Sequence, residues 1–177
     1  MKQNSTRIRD LYCSEVRAWN RVHSLISTNK SPAVLFEECL LAFSSFYKDS
    51  KDFKYTQIID IGSGSGVLGF AWLSLDPSHR CMFIEPILKK SSFILNLCTK
   101  IGISPKRYSV ISEKIENIKN TIDDENIFCA SRAFSGSKSL EEAVGESVFY
   151  DLPLYTFHKN KEEEFSFKKI EINKLIK

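Results

Sequence analysis

The sequence predicts an α/β protein: a doubly wound, mostly parallel sheet behind an N-terminal helical extension. Three observations predict it. From Thr56 onward, short apolar runs, the first rich in β-branched residues, alternate with stretches of helical periodicity, the pattern of parallel strands joined by crossover helices. The first such run, IIDI, breaks into GSGSGVLG, a glycine-rich turn between strand and helix. The roughly 50 residues before it show helical spacing and no strand pattern.

Between Thr6 and Ile26 the apolar positions Ile8, Leu11, Tyr12, Val16, Trp19, Val22 and Ile26 step by three and four, as on one face of a helix. Arg7, Arg17 and Arg21 fall on the opposite face. After the break TNKSP, SPAVLFEECLLAFSSFY reads as a second helix with Ser31 as N-cap and Pro32 at its first position. TQIIDI is then a strand, VLGFAWLSLD a helix, CMFIE a second strand, and PILKKSSFILNLCTKIG a long helix stopped by Gly102. YSVIS is a third strand with a short helix through EKIENIKNTI, IFCAS a fourth, SKSLEEAV a short helix and SVFYDL a fifth strand. LPLYTFHK and FSFKKIEI read as a closing antiparallel pair around the charged turn KNKEEE.

With 177 residues, 42% of them hydrophobic and 27% charged, the chain is sized for one compact domain. Residues 1–50 form the extension and 51–177 the core. The opening MKQNSTRIRD has no apolar stretch behind it, and no window reaches membrane-spanning length, so the expected location is cytoplasmic. The five cysteines are scattered among apolar neighbours, which reads as reduced core residues; no metal site is expected. A net charge of +3 is mild and says little about partners, so any RNA-binding surface must come from local clusters.

Two cofactor classes fit the glycine turn. GSGVLG, read from Gly64, matches the dinucleotide fingerprint, and Glu85 follows at the spacing expected for an acid on a ribose. Read from Asp60, DIGSGSG is an acid-led loop suited to S-adenosylmethionine: glycines wrap the methionine end, Asp60 faces the ammonium group, and Glu85 takes the ribose hydroxyls. An acid at the strand end repels a pyrophosphate but suits an ammonium and a sulfonium. Little of the chain is left over for a separate substrate region. Both points favour the methyl donor.

WNRVHSLIS, DIGSGSGVLGF, FIEPILKKSSFI, EKIEN and SRAF occur in the order and approximate spacing of a known family. The chain resembles the glucose-inhibited division protein B family, bacterial methyltransferases that act at guanine N7 in 16S ribosomal RNA. The resemblance runs from about Trp19 to Phe134. It implies a class I S-adenosylmethionine-dependent methyltransferase, Rossmann-like in fold, whose partner is 16S ribosomal RNA or the small-subunit particle. It further implies that Gly62 and Val67 line the methionine and ribose side of the cofactor, beside Asp60, Gly64, Gly66 and Glu85 of the loop reading, that Ile115 and Glu116 contact its adenine, and that Arg132 is the arginine of the S-R-A-F segment. Lys89 and Lys90 match the family's paired basic residues. The chain departs from the family at Ser24 and Ile26, at Leu35 where a histidine is usual, at Glu38 where an aspartate is usual, and at Tyr150-Asp151.

Guanine N7 carries a free lone pair, so transfer to it requires orientation and no general base. No catalytic proton-transfer residue is therefore assigned. In an RNA helix N7 lies in a groove too narrow to enter, so the base must be extruded or unpaired, and Arg132 and Phe134 are placed to hold it. Lys89, Lys90, Arg17 and Arg21 are the candidates for phosphate contacts. Two alternatives remain at this point: a methyltransferase for another acceptor, and a cofactor-binding RNA module with altered or lost activity.

Overall fold

The computed structural model describes residues 2–27, 29–49, 55–119, 126–134, 138–159 and 164–170. Two helices lead: α1 (Lys2–Asn20) and α2 (Pro32–Asp49). The alternating part follows as β1 (Gln57–Ile61), α3 (Val67–Leu75), β2 (Arg80–Ile84), α4 (Leu88–Ile101), β3 (Tyr108–Ile111), β4 (Ile127–Ser131), α5 (Leu140–Gly145), β5 (Leu154–Lys159) and β6 (Phe165–Ile170). The six strands pair in the order β3-β2-β1-β4-β5-β6. The first five run parallel, and β6 closes the sheet antiparallel to β5. The strand order reverses between β1 and β4, so their carboxyl ends open the crevice where such sheets bind ligands.

Strand alternation splits the interior into two layers. Ile58, Phe83 and Phe128 face a large aromatic core under α1 to α4, where Tyr12, Phe36, Phe43, Trp72 and Phe93 are buried. Ile59, Ile61, Ile84 and Cys129 face a smaller core closed by α5 and a 3-10 turn at Ile115–Asn117. The N-terminal helices thus share the main core, with Tyr12 packed between Phe36 and Phe70. All five cysteines are free and buried. Among the described residues, no helix is long and apolar enough to cross a membrane.

Three elements differ from the sequence reading. The first helix stops at Asn20, short of Ile26, because the Asn20 side chain accepts hydrogen bonds from the Leu25 and Ile26 N–H groups and turns the chain out of the helix. Val22, placed on the apolar face by its spacing, is 78% exposed. The helix expected through EKIENIKNTI is a single 3-10 turn as far as Lys119, and residues 120–125 lie outside the described ones. SVFYDL is a run of turns, not a strand: Ser147 Oγ donates to the Val144 carbonyl and accepts from Phe149 N–H, which drives Phe149 into the smaller core. The fifth parallel strand is Leu154–Lys159, so the first arm of the closing hairpin is also part of the parallel sheet. Most of the expected KNKEEE turn, residues 160–163, lies outside the described residues.

Candidate functional site

The turn between β1 and α3 carries positive φ angles at Gly62, Gly64 and Gly66, at 67°, 59° and 73°. Such angles suit glycine because a side chain would clash with its own backbone. The three glycines do different things. At Gly64 an added Cβ would meet little but the Gly62 carbonyl at 3.9 Å, so this position leaves space. At Gly66 it would press on Phe70 at 2.9 Å and Ile94 at 3.2 Å, so this position is closed from beneath. At Gly62 the nearest neighbour is the Phe134 ring, at 3.4 Å.

The turn is fixed from three sides. Glu85, at the end of β2, accepts from Gly64 N–H at 2.7 Å and from Ile87 N–H at 2.9 Å. Ser65 Oγ shares a 2.8 Å hydrogen bond with the hydroxyl of Tyr12, a side chain fully buried on α1. Ser63 Oγ donates to the Asp60 carbonyl at 2.7 Å.

Asp60 is buried beneath the turn. It shares the strand face of Ile58, towards α3, and its Oδ2 accepts from Gly69 N–H at 3.2 Å. The carboxyl is 1% exposed and lies beneath the turn, away from the cavity wall. Burial pushes its pKa up to about 7, against the lowering pull of the hydrogen bond from Gly69 N–H. Its place is under the loop, as an anchor between β1 and α3.

Above the turn is a cavity of about 380 Å³. Gly62, Gly64, Val67, Glu85, Ile115, Glu116, Arg132 and Phe134 all line it, so the structure brings together in space eight positions singled out from the sequence. Gly66 stays behind the wall, packed against Phe70. Sequence reasoning did not assign Leu25, Lys30, Ile87, Lys114 and Lys138 to the site, yet they also line it. Ile87, two residues beyond Glu85 and 45% exposed, had a signal in the sequence as an apolar residue after an acid at a strand end. Lys30 had none, because its position depends on how the α1–α2 connection folds back.

Arg132, just after β4, reaches across to α2. Its Nη1 donates to the Leu35 carbonyl at 3.1 Å and to Cys39 Sγ at 2.9 Å, and its Nη2 pairs with Glu38. The guanidinium also lies 4.3 Å from the centre of the Phe157 ring. Burial opposes the charge of Arg132, but Cys39 and Glu38 outweigh it and hold its pKa above the ordinary value. Of the basic candidates, Lys90 lines the cavity and Lys89 is exposed on the first turn of α4. Arg17 and Arg21 are exposed beside a groove that shares Ile26 and Lys30 with the cavity.

The solved structures with this fold include a SAM-dependent methyltransferase from Aquifex aeolicus, at a TM-score of 0.51 and 15% identity over 72% of this chain and 70% of that one. A variant of MtNAS in complex with S-adenosylmethionine superposes at a TM-score of 0.59 and 12% identity, over 86% of this chain and 57% of that one. The fold is that of the class I S-adenosylmethionine-dependent methyltransferases. Ribosomal RNA small subunit methyltransferase G of Nitrosospira multiformis is 27% identical over 136 residues, 76% of this chain and 58% of that protein. The same-named protein of Aquifex aeolicus is 24% identical over 156 residues, 86% of this chain and 76% of its own length. Relatives from Polynucleobacter asymbioticus and Francisella philomiragia are likewise spanned over 57% and 59% of their lengths. A family model described as rRNA small subunit methyltransferase G matches residues 6–169, from the first helix through the closing hairpin. This chain belongs to that family, GidB.

Proposed function

We propose that the protein transfers a methyl group from S-adenosylmethionine to N7 of a guanine in 16S ribosomal RNA of the small ribosomal subunit. The observation that carries this reading is the cavity at the sheet's switch point. There a glycine turn with room at Gly64, the Glu85 carboxylate, and the Ile115–Glu116 turn form one continuous wall. A volume of about 380 Å³ lies within the range of small-ligand and cofactor sites. Glu85 has two oxygens, each already accepting one backbone N–H, and each keeps a lone pair for a ribose hydroxyl. Gly62, Gly64 and Val67 would border the methionine end, and Ile115 and Glu116 the adenine.

The cofactor, when bound, supplies an electrophilic methyl carbon on a sulfonium. An acceptor N7 with a free lone pair would take that methyl group with no proton to remove, so the chain would need no general base. The chain's task is then to hold two partners in line, and orientation of that kind is worth roughly 7–11 kcal/mol. Arg132 and Phe134, on the cavity wall after β4, are the residues to orient the base. The helical extension, residues 1–50, adds Arg17, Arg21 and Lys30 to Lys90 and Lys114 of the core, 51–177, with Lys89 exposed next to Lys90. Together they suit a phosphate backbone that runs past the cavity mouth.

The test is methyl transfer from labelled S-adenosylmethionine to small-subunit particles, and to their extracted RNA, from a strain without this methylation. The product is mapped by chemical cleavage at N7-methylguanine. One cleavage site is expected; cofactor binding without label in either substrate would move the acceptor elsewhere.

A further inference from the structure

We infer that Glu38 is an electrostatic positioning residue, which cancels the charge of Arg132 where it faces the cofactor cavity so that a sulfonium can sit beside it. The inference rests on the cofactor reading above and adds a residue from outside the cavity. Among the described residues, four lysines and Arg132 line the cavity against two carboxylates, Glu85 and Glu116, and one of the lysines, Lys138, is paired with Glu146. That balance suits RNA phosphates at the mouth but opposes a cofactor whose sulfur is cationic, and a reaction that ends with positive charge on the purine. Lys138 is neutralised by Glu146, and the other lysines are on flexible stems whose charges can turn to solvent. Arg132 has no such freedom.

Its guanidinium is pinned by the Leu35 carbonyl and Cys39 Sγ of α2 and is covered on one face by Phe157. Its side chain is only 14% exposed. A fixed and poorly hydrated cation on the wall repels another cation far more than a solvated one does. Glu38, 17% exposed and on the same turn of α2, meets Arg132 directly. The pair therefore presents a nearly neutral wall with the donor geometry of an arginine. A second hollow shares Arg132, Ala133, Phe134 and Lys138 with the cavity and adds Thr156 of β5, so this wall also borders the space next to the cofactor. Charge that develops there on a methylated base meets the same neutral pair.

The test is calorimetry of the full chain with S-adenosylmethionine and with S-adenosylhomocysteine, which differ by one methyl group and the sulfur's positive charge. In Glu38→Gln, affinity for the sulfonium is expected to fall on the order of tenfold relative to the thioether, the scale of one charge uncompensated at a partly buried site. Glu38→Asp keeps the charge and is expected to hold the wild-type ratio. Arg132→Met leaves Glu38 unbalanced and is expected to shift the ratio the other way, and it carries the test if Glu38→Gln does not fold. Parallel losses for both ligands, with the ratio unmoved in Glu38→Gln and Arg132→Met, would overturn the inference and leave Glu38 a brace of α2. A wild-type chain that binds neither ligand overturns the cofactor reading, and the inference with it.

Discussion

Glu85 Oε2 accepts a hydrogen bond from the backbone N–H of Gly64 at 2.7 Å, which staples the turn after β1 to the end of β2. The second oxygen holds Ile87 N–H at 2.9 Å, so one carboxylate shapes two walls of the cavity. Hydrogen bonds of this charge-assisted kind are about twice as strong as neutral ones. Glu85→Ala would leave both N–H groups without an acceptor, at a cost of about 1–3 kcal/mol for each that stays buried. Glu85→Gln keeps one acceptor oxygen, so its loss of stability is expected to be smaller while its loss of cofactor affinity remains at least tenfold. Urea unfolding and calorimetry on the two variants check this; a Gln variant that binds like wild type would remove Glu85 from the ribose.

Asp60 gives the apo protein a pH dependence of unusual sign. Its carboxyl titrates near 7 in the folded chain, against an ordinary value of 3.8, because burial disfavours the charged form. The folded state therefore holds a proton that the unfolded chain has released. This group's penalty is absent below about pH 4, grows as pH rises, and is complete above about pH 7. Each tenfold difference in proton affinity between the folded and unfolded chain is worth ~1.4 kcal/mol, so the penalty amounts to a few kcal/mol. His79, whose pKa burial lowers, acts in the opposite sense, so the wild-type profile mixes the two. The difference between Asp60→Asn and wild type isolates Asp60. An amide oxygen can still accept from Gly69 N–H, and the variant is expected to gain stability relative to wild type steadily from pH 4 to pH 7. A flat difference in urea midpoints across that range would show that Asp60 is charged and compensated in the fold.

How much of this was legible in the sequence follows from what kind of signal each element carries. β1 announced itself as a β-branched run, β2, β3 and β4 as short apolar runs between helical stretches, and α4 by its spacing and by Gly102, which caps it at φ 78°. SVFYDL misled because its composition suits a strand while Ser147, through two local hydrogen bonds, commits the backbone to turns. Asn20 ended the first helix in the same way. In both places a side chain competes for backbone groups that periodicity counts as free. The glycine turn, Glu85 and Ile115–Glu116 were readable as motif positions. Arg132 was readable as a residue but not as a partner of Glu38, since 94 positions separate them and only the packing of α2 on the sheet brings them together. Asp60 was readable as an acid at a strand end; which way it faced depended on the alternation set by Ile58 and Ile59.

Gly64 and Gly69 both do without a side chain, for opposite reasons. Gly64 has φ 59° and open space where a Cβ would point, whereas in α3 a Cβ on Gly69 would come within 2.2 Å of Phe83 and 2.6 Å of Cys81 Sγ. Gly64→Ala is expected to cost about 1–2 kcal/mol from its left-handed backbone, and a larger share of cofactor affinity, because the methyl group stands in the space kept for the ligand. Gly69→Ala forces α3 off β2, and overpacking of this kind typically costs about 1–3 kcal/mol or more. Thermal unfolding should therefore rank Gly69→Ala as the less stable variant, with cofactor titration ranking Gly64→Ala as the weaker binder of the two relative to its stability. The reverse ranking in both measurements would mean that the open side of Gly64 does not face the ligand.

Lys89 and Lys90 are adjacent, but the first turn of α4 sends them to different places. Lys89 is exposed, and Lys90 is half-buried on the cavity wall. If both meet phosphates, each replacement by alanine should flatten the salt dependence of RNA binding, by roughly 0.7–0.9 in the log–log slope for every phosphate no longer neutralised. Their effects on the cofactor should then separate. Lys89→Ala is expected to leave cofactor affinity unchanged. Lys90→Ala removes a cation beside a cationic ligand and is expected to hold that affinity or raise it slightly. RNA titrations at several salt concentrations, with calorimetry on the same preparations, measure both quantities. Slopes equal to wild type in both variants would take α4 off the RNA path and leave Arg17, Arg21 and Lys30 as the side of the cavity mouth along which the backbone runs.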